Sequence, residues 1–365
     1  MSLRRLAIWP TLPLNTYFRK PADQTPFPLN QEGCRIFSLA RQAIWNASKS
    51  MGLQENDVIL TPAYHHGSEV EALLQAGLKI KYYDINENLE PDPEELESLI
   101  TEEVKAFYLI HYLGFPQNAT FWKTWCEKHQ LIFIEDAAQA FLAHFQGQPL
   151  GSFGQMGIFC LYKTYGIPDG GAVICTSPPS LPQVPAKLGW WKVFKRHFNW
   201  VAAHRGELGA IHLWVSPIIR WWKVKRYKPH AEFNLDDPNT PPTKLTLSLL
   251  PKLLSEETFE IRRKNYQYLL DQISEWVPMP FRKLTEGACP FAFPVQMDNP
   301  TAFLEKLRKK GVMGLLFWIN PHPSLPVESF PQSKKFREKM LALPVHQELN
   351  QSELDQIIHA VKTSI

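Results

Sequence analysis

Along the first half of the chain, apolar and polar positions fall into blocks that switch between two periods. Asp57 to Leu60 (DVIL) is a short apolar run of the kind a buried strand gives, and GSEVEALLQAG after it carries the spacing of a one-faced helix. In that helix Ser68 and Glu71 stand in capping-box spacing and Gly77 closes the end. The strand KIKYYDI follows, then PDPEELESLI, in which Asp92 reads as the N-cap, Pro93 as the first helical residue and the acids as first-turn residues. AFYLIH, ATFWKTWCEKHQ and LIFIED repeat the beat of strand, helix and strand. Upstream, after a Pro-rich arm reaching about Leu29, RIFSLARQAIWNASKSMGL reads as a helix ending at Gly52. This alternation predicts an α/β fold, a mostly parallel sheet with helices on both faces. Ligands of such sheets bind beyond the carboxyl ends of the strands. Tyr64 to His66, His111, Asp136 and Lys163 are therefore expected to share one crevice.

From about 186 to 237 the pattern breaks. GWWKVFKRHFNW and IIRWWKVKRYKPH interleave tryptophan with lysine and arginine, and tryptophans 190, 191, 200, 214, 221 and 222 are half of the chain's 12. Such a segment suits a packed or dimeric interface, a cover for the mouth of a site, or a membrane surface. A nucleic-acid groove has little else behind it. NLDDPNTPPTK then reads as a linker. Beyond it come the helices KLTLSLLPKLL and TFEIRRKNYQYLLDQI, the strand PFAFPVQM, and the helices NPTAFLEKLRKKG and ELNQSELDQIIHAVKT. The expected division is a large domain over 1–240, carrying the insertion at about 186–237, and a smaller C-terminal α/β domain over 241–365.

Composition narrows the classes without choosing among them. Of 365 residues, 44% are hydrophobic and 21% charged, which excludes a disordered chain and a membrane bundle. A net charge of +3 is too small to make nucleic acid the main partner. The five cysteines are scattered without paired ligand spacing, so no metal site is expected and a reducing cytoplasm fits. Prolines interrupt MSLRRLAIWPTLPLN before any apolar core long enough for a signal peptide, and no apolar run reaches the ~18 residues of a spanning helix.

The chemistry concentrates in FCLYKTYGIPDGGAVIC, where Lys163 ends an apolar run and precedes the pair Gly170–Gly171. A lysine amine becomes a useful nucleophile towards a carbonyl, as in Schiff bases with pyridoxal phosphate. That cofactor also needs a carboxylate at its pyridine nitrogen, donors for its phosphate at a helix N-terminus, and a flat side chain over its ring. Asp136 in FIEDAAQA stands one residue beyond the apolar strand, followed by small residues and Gln139. Alone, Asp136 reads as a helix cap and Lys163 as a solvated strand end. Together, at this separation, they point to the cofactor.

These segments, with LIHYLGFP, RRKNY and PFAFPVQ, resemble the DegT/DnrJ/StrS family of sugar aminotransferases, enzymes of fold type I. The resemblance runs over roughly Gly33 to Thr176, more loosely over Lys244 to Ile365, and is absent from the Trp-rich segment. It implies pyridoxal 5'-phosphate held by Lys163, with Asp136 on the pyridinium nitrogen and Gln139 against the cofactor. It places the phosphate site at Ala40 and Arg41 in SLARQAI, where Arg41 replaces backbone and hydroxyl contacts with a charge-assisted bond. Cys160 takes the place of a serine and is a poorer donor. The ring-stacking position falls near His66, with Tyr64 and His65 as substitutes. The resemblance further implies glutamate as amino donor, a nucleotide-linked keto sugar as acceptor, and a homodimer that shares its active sites. Dehydratase relatives carry histidine at the lysine position, so Lys163 argues against that reaction. A scaffold that kept the fold without the catalysis is the reading from another class.

Overall fold

Residues 4–204 and 230–365 are described by the computed structural model. In chain order they form β1 (Leu6–Ala7), β2 (Arg35–Phe37), α1 (Ala40–Ser50), β3 (Val58–Pro62), α2 (Ser68–Gln75), β4 (Lys79–Tyr83) and α3 (Pro93–Leu99). Next are β5 (Val104–Ile110), α4 (Ala119–His129), β6 (Ile132–Asp136) and a small hairpin, β7 (His144–Phe145) with β8 (Gln148–Pro149). They lead to β9 (Met156–Cys160), the single turn α5 (Leu161–Thr164), β10 (Gly171–Cys175) and α6 (Trp190–His204). Seven of these strands make one sheet in the order β2-β10-β9-β6-β5-β3-β4. Strands β9, β6, β5, β3 and β4 run parallel, and β10 is antiparallel to both its neighbours. The expected α/β architecture is present, and β3 and β9 are buried at every position, as strands covered on both faces are. At the centre of the core, Phe107 packs against Tyr83, Trp122, Trp125 and Phe133. Burial of each such ring stabilises the fold by about 1.5–3 kcal/mol.

The C-terminal part contains α7 (Lys244–Leu253), α8 (Glu257–Ile273), β11 (Phe293–Gln296), α9 (Pro300–Lys309), β12 (Val312–Met313), β13 (Leu315–Leu316), α10 (Pro331–Lys339), β14 (Met340–Leu343) and α11 (Gln351–Lys362). Its three-stranded antiparallel sheet has the order β11-β14-β13. The N-terminal arm joins it, because β1 pairs in parallel with β12 through Leu6 and Val312. Among the described residues no helix is long and apolar enough to cross a membrane, and no cluster of histidine, cysteine or acid offers a metal site.

Local structure departs from the sequence reading in three places. Arg35–Phe37 is a strand paired with β10, not the first turn of a helix, and α1 begins at Ala40. Helix α2 starts at Ser68, so Ser68 and Glu71 do not form its cap. Instead the Glu69 carboxylate reaches back to the His66 N–H at 2.9 Å, and Gly67 takes the N-cap position at φ 109°. A side chain on Gly67 would also meet the Phe233 ring at 2.7 Å. Third, β9 ends at Cys160, and Lys163 lies on the turn α5 rather than at a strand end. Asp92 caps α3 as read, accepting the Glu94 N–H at 2.9 Å. IIRWWKVKRYKP of the Trp-rich insertion lies outside the described residues.

Candidate functional site

The carboxyl ends of β5, β6 and β9 open with the first turns of α1 and α2 onto one cavity of about 220 Å³. Asp136, Gln139, Cys160 and Lys163 line it from the sheet side, and Ala40, Arg41 and His66 from the helix starts. These seven residues, the ones the family resemblance assigns to the cofactor, thus face the same space. The C-terminal part closes it with Phe291, Phe317 and Trp318, and the arm adds Trp9.

Lys163 is the one lysine among the lining residues. Its turn is held from both ends. On the sheet side the Leu161 N–H donates to the Gly170 carbonyl at 2.9 Å, with Gly170 at φ 128°. Gly171 lets β10 run flush under the start of α1, since a Cβ there would lie 2.0 Å from the Ala40 nitrogen. From the C-terminal part, Arg262 of α8 donates to the carbonyls of Thr164 at 3.0 Å and Pro290 at 2.9 Å, and to Gln347 Oε1 at 2.9 Å. Gln347 donates to the same Thr164 carbonyl at 2.9 Å. The Lys163 amine lies 5.7 Å from the centre of the Phe291 ring and has no hydrogen-bond acceptor among the described residues.

Asp136 closes β6. Its Oδ2 accepts the Tyr108 hydroxyl at 2.7 Å and its Oδ1 the Ala138 N–H at 2.8 Å. Burial pushes its pKa up, helped by the Glu69 charge, while the Tyr108 hydrogen bond, the Lys163 charge and the Ala138 N–H pull the other way. No cation among the described residues pairs with it. Glu135, one residue earlier, points to the opposite face and accepts the N–H groups of Phe153, Gly154 and Gly151 at 2.6, 2.7 and 3.0 Å. Strand alternation therefore gives the two acids of the motif different duties. Gln139 takes the Leu113 N–H on its Oε1 at 2.7 Å, which leaves its amide nitrogen without a partner among the described residues.

At the start of α1 the N–H groups of Ala40 and Arg41 find no acceptor in the described residues, the usual state of a helix N-terminus. Arg41 spends Nη1 on the carbonyls of Glu232 and Asn234, each at 2.7 Å, so it ties the returning chain to the cavity rim. The His66 ring meets Phe233 edge-on at 5.9 Å and its Nδ1 lies 3.2 Å from the Ser68 hydroxyl. Burial lowers its pKa. Burial raises the Cys160 thiol, which adjoins Lys163 and Tyr162.

Three residues expected in the crevice are not there. Tyr64 is fully buried and stacked on Tyr112 at 5.6 Å. His65 stacks on Tyr82 at 5.4 Å and holds the Pro62 carbonyl through Nδ1 at 2.8 Å. His111 sits between the Glu135 carboxylate at 3.2 Å and the Gln117 N–H at 3.1 Å. Conversely, Trp9, Glu69 and Trp318 line the cavity without a sequence signal, whereas Phe291 lies in the PFAFPVQ segment. Asp169, fully buried in IPDGG, accepts the hydroxyls of Thr246 and Thr243 at 2.6 and 3.1 Å and the amine of Lys192 at 3.1 Å.

The family called DegT/DnrJ/EryC1/StrS aminotransferase matches residues 36–184 and 247–362, the two stretches that flank the Trp-rich insertion. The chain belongs to this family. A curated relative is the UDP-N-acetyl-3-dehydro-alpha-D-glucosamine 3-aminotransferase of Acidithiobacillus ferrooxidans, 28% identical over 170 residues. That match spans 46% of this chain and 44% of the relative's length. Among solved structures, Helicobacter pylori PseC, an aminotransferase of pseudoaminic acid biosynthesis, has a TM-score of 0.65 at 18% identity and covers 99% of both chains. The E. coli GDP-4-keto-6-deoxy-D-mannose-3-dehydratase, solved with bound hydrated PLP, has a TM-score of 0.61 at 18% identity over 90% of this chain and 87% of its own. Since family members and a dehydratase share the fold, the fold alone leaves the reaction to the site residues.

Proposed function

We propose that the chain is a pyridoxal-phosphate aminotransferase that moves an amino group from glutamate to a nucleotide-linked keto sugar, in the making of a glycan or polysaccharide. The observation that carries this reading is that Lys163, an amine without an acceptor among the described residues, and Asp136, a buried carboxylate without a cation among them, line one cavity. A buried charge without a partner is costly, and a protonated ring nitrogen is the partner that would remove the cost. The donor set therefore fits the cofactor. Lys163 would hold it through the side-chain amine, Asp136 at the ring nitrogen, and the N–H groups of Ala40 and Arg41 at the phosphate. Gln139, His66 and Cys160 would complete the walls.

When bound, pyridoxal phosphate supplies a carbonyl for amine exchange and a ring that accepts electrons. The chain's own part is proton handling and exclusion of water. The Nζ of Lys163 takes the proton from the donor's α-carbon, and nothing else lining the cavity offers an amine for this. Asp136 keeps a proton on the ring nitrogen, held in place by Tyr108 and Ala138. Phe291, Phe317 and Trp318 keep water from the reacting carbon. The same reading takes the enzyme as a cytoplasmic homodimer.

Purified protein given pyridoxal phosphate should gain a visible absorbance band that glutamate bleaches. Incubation with glutamate and a nucleotide-linked keto sugar should yield the amino sugar by mass spectrometry. Lys163→Ala should lower turnover by at least about 1,000-fold and abolish the band. Asp136→Asn should lower turnover by about 100-fold or more while the band persists. Protein that never acquires the band would instead support a non-catalytic scaffold.

A further inference from the structure

Helix α6 is turned the wrong way round for a solvent-facing surface helix. Its inner face carries the part-buried Arg196 and His197 beside the buried Val193, and the half-exposed Lys192 flanks that face. Each polar group is bound there: Lys192 to Asp169 at 3.1 Å, Arg196 to the Pro10 carbonyl at 3.4 Å, and His197 to the Leu12 carbonyl and the Tyr17 hydroxyl at 2.9 Å each. Its outer face carries Trp190, Trp191 and Phe194, which are 61%, 52% and 54% exposed. Next to it the arm exposes Phe18 at 90% and Leu14 at 48%. An aromatic patch of this kind marks an interaction surface.

The charge around it selects the partner. Between Thr176 and His204 there are four lysines and arginines and no acid. Exposed Lys187 and Lys195 border the aromatic face, Lys195 lying 5.4 Å from the Trp191 ring centre, and exposed Arg19 and Lys20 follow Phe18. A twofold contact through this face would set Lys187, Lys195, Arg19 and Lys20 against their own copies, like charge against like. An anionic surface has the opposite charge. We propose that the outer face of α6, with the adjoining arm, docks the protein on the surface of an anionic lipid bilayer. The rings sit at the level of the headgroups, and the lysine stems lie along them with their amines at the lipid phosphates. The attachment is peripheral, as no described helix is long and apolar enough to cross.

The test is co-sedimentation of the full chain with vesicles of phosphatidylcholine alone and of phosphatidylcholine mixed with phosphatidylglycerol. Binding is expected on the mixed vesicles only, and raised salt should weaken it. Replacing the aromatics together (Trp190→Ser, Trp191→Ser, Phe194→Ser) should weaken it by more than about tenfold with an unchanged far-ultraviolet spectrum. Lys187→Glu with Lys195→Glu, which leaves the rings in place, should weaken it by roughly 25-fold. Absence of binding to the mixed vesicles overturns the proposal. So does an aromatic variant that binds vesicles like the parent but loses a dimer in sedimentation equilibrium, which assigns the face to a second copy.

Discussion

The wall behind Lys163 and the helix α6 both turn basic side chains inward, yet they do opposite things with what remains outside. Behind Lys163 the guanidinium of Arg262 is fully buried and spends its donors on main-chain carbonyls of α5 and of the segment before β11. Everything around it is covered, and the result is a rigid support for one turn. At α6 the part-buried Arg196 and His197 anchor the helix to the arm, the half-exposed Lys192 reaches Asp169, and the aromatic side is left facing out. A buried cation in one region frames a cavity. In the other it frees an aromatic surface for a partner.

Breaking the first support should have the largest effect. Arg262→Ala would leave the carbonyls of Thr164 and Pro290 buried without donors and open a cavity between the two parts of the chain. The expected loss is about 4 kcal/mol in urea denaturation. Arg262→Lys restores the charge but not the fork that reaches Thr164, Pro290 and Gln347 at once, so it should recover only part of the loss. If Arg262 positions Lys163, the lysine variant should also shift the pH dependence of the cofactor's absorbance band, which general destabilisation would not do.

The loop after β3 gives a second comparison between packed and open. His65 donates through Nδ1 to the Pro62 carbonyl, and its Nε2 is buried with no partner among the described residues, so the ring is held neutral. Burial, supported by the nearby Arg337 charge, lowers its pKa to about 4, against the opposing pull of Glu69. A base with a depressed folded pKa contributes stability that is complete above its unfolded pKa near 6.5 and is lost as pH falls towards 4. The loss over that window is about 3 kcal/mol, and His65→Gln should flatten that part of the stability profile. A variant whose profile keeps its full slope would place the titration elsewhere.

Gly171 is a smaller and sharper probe of the helix start. A methyl there meets the Ala40 nitrogen, so Gly171→Ala must push the first turn of α1 away from β10. About 2 kcal/mol of stability should go with it. On the proposed reading phosphate is held at Ala40 and Arg41, so affinity for pyridoxal phosphate should fall by more than the affinity for the unphosphorylated aldehyde.

Much of this was legible in the sequence where the cause is local. Strand and helix alternate around FIEDAAQA because each period is short and its turn residues are adjacent; Asp136 and Lys163 follow from the same run, while Gln139 and Cys160 came from the family resemblance. What escaped comes from distant parts of the chain. Arg262 reads as an ordinary exposed residue of RRKNY, and only its tertiary surroundings make it a clamp. Arg337, equally buried, holds the carbonyls of Ala63 and Trp318 from α10. Trp9 reaches the cavity because its arm pairs with β12. Where α2 starts turned on one left-handed glycine, Gly67, which no spacing rule anticipates.

The weakest effect is the one that separates the two regions most cleanly. Trp191→Ser removes a large ring from the outer face of α6, and Val193→Ala removes two methyl groups from the inner face. Volume alone would make the tryptophan change the costlier one. Burial reverses that order. Val193 is 4% exposed, so its truncation should cost about 2 kcal/mol. Trp191 is 52% exposed and touches mainly Trp190, Phe194 and the Lys195 amine on its own helix, so its loss should stay within about 0.5 kcal/mol in water. Thermal denaturation of both variants measures the difference. A Trp191→Ser protein that unfolds well before the Val193→Ala one would mean the ring is already covered in solution, and the outer face of α6 would then belong to the fold rather than to a partner.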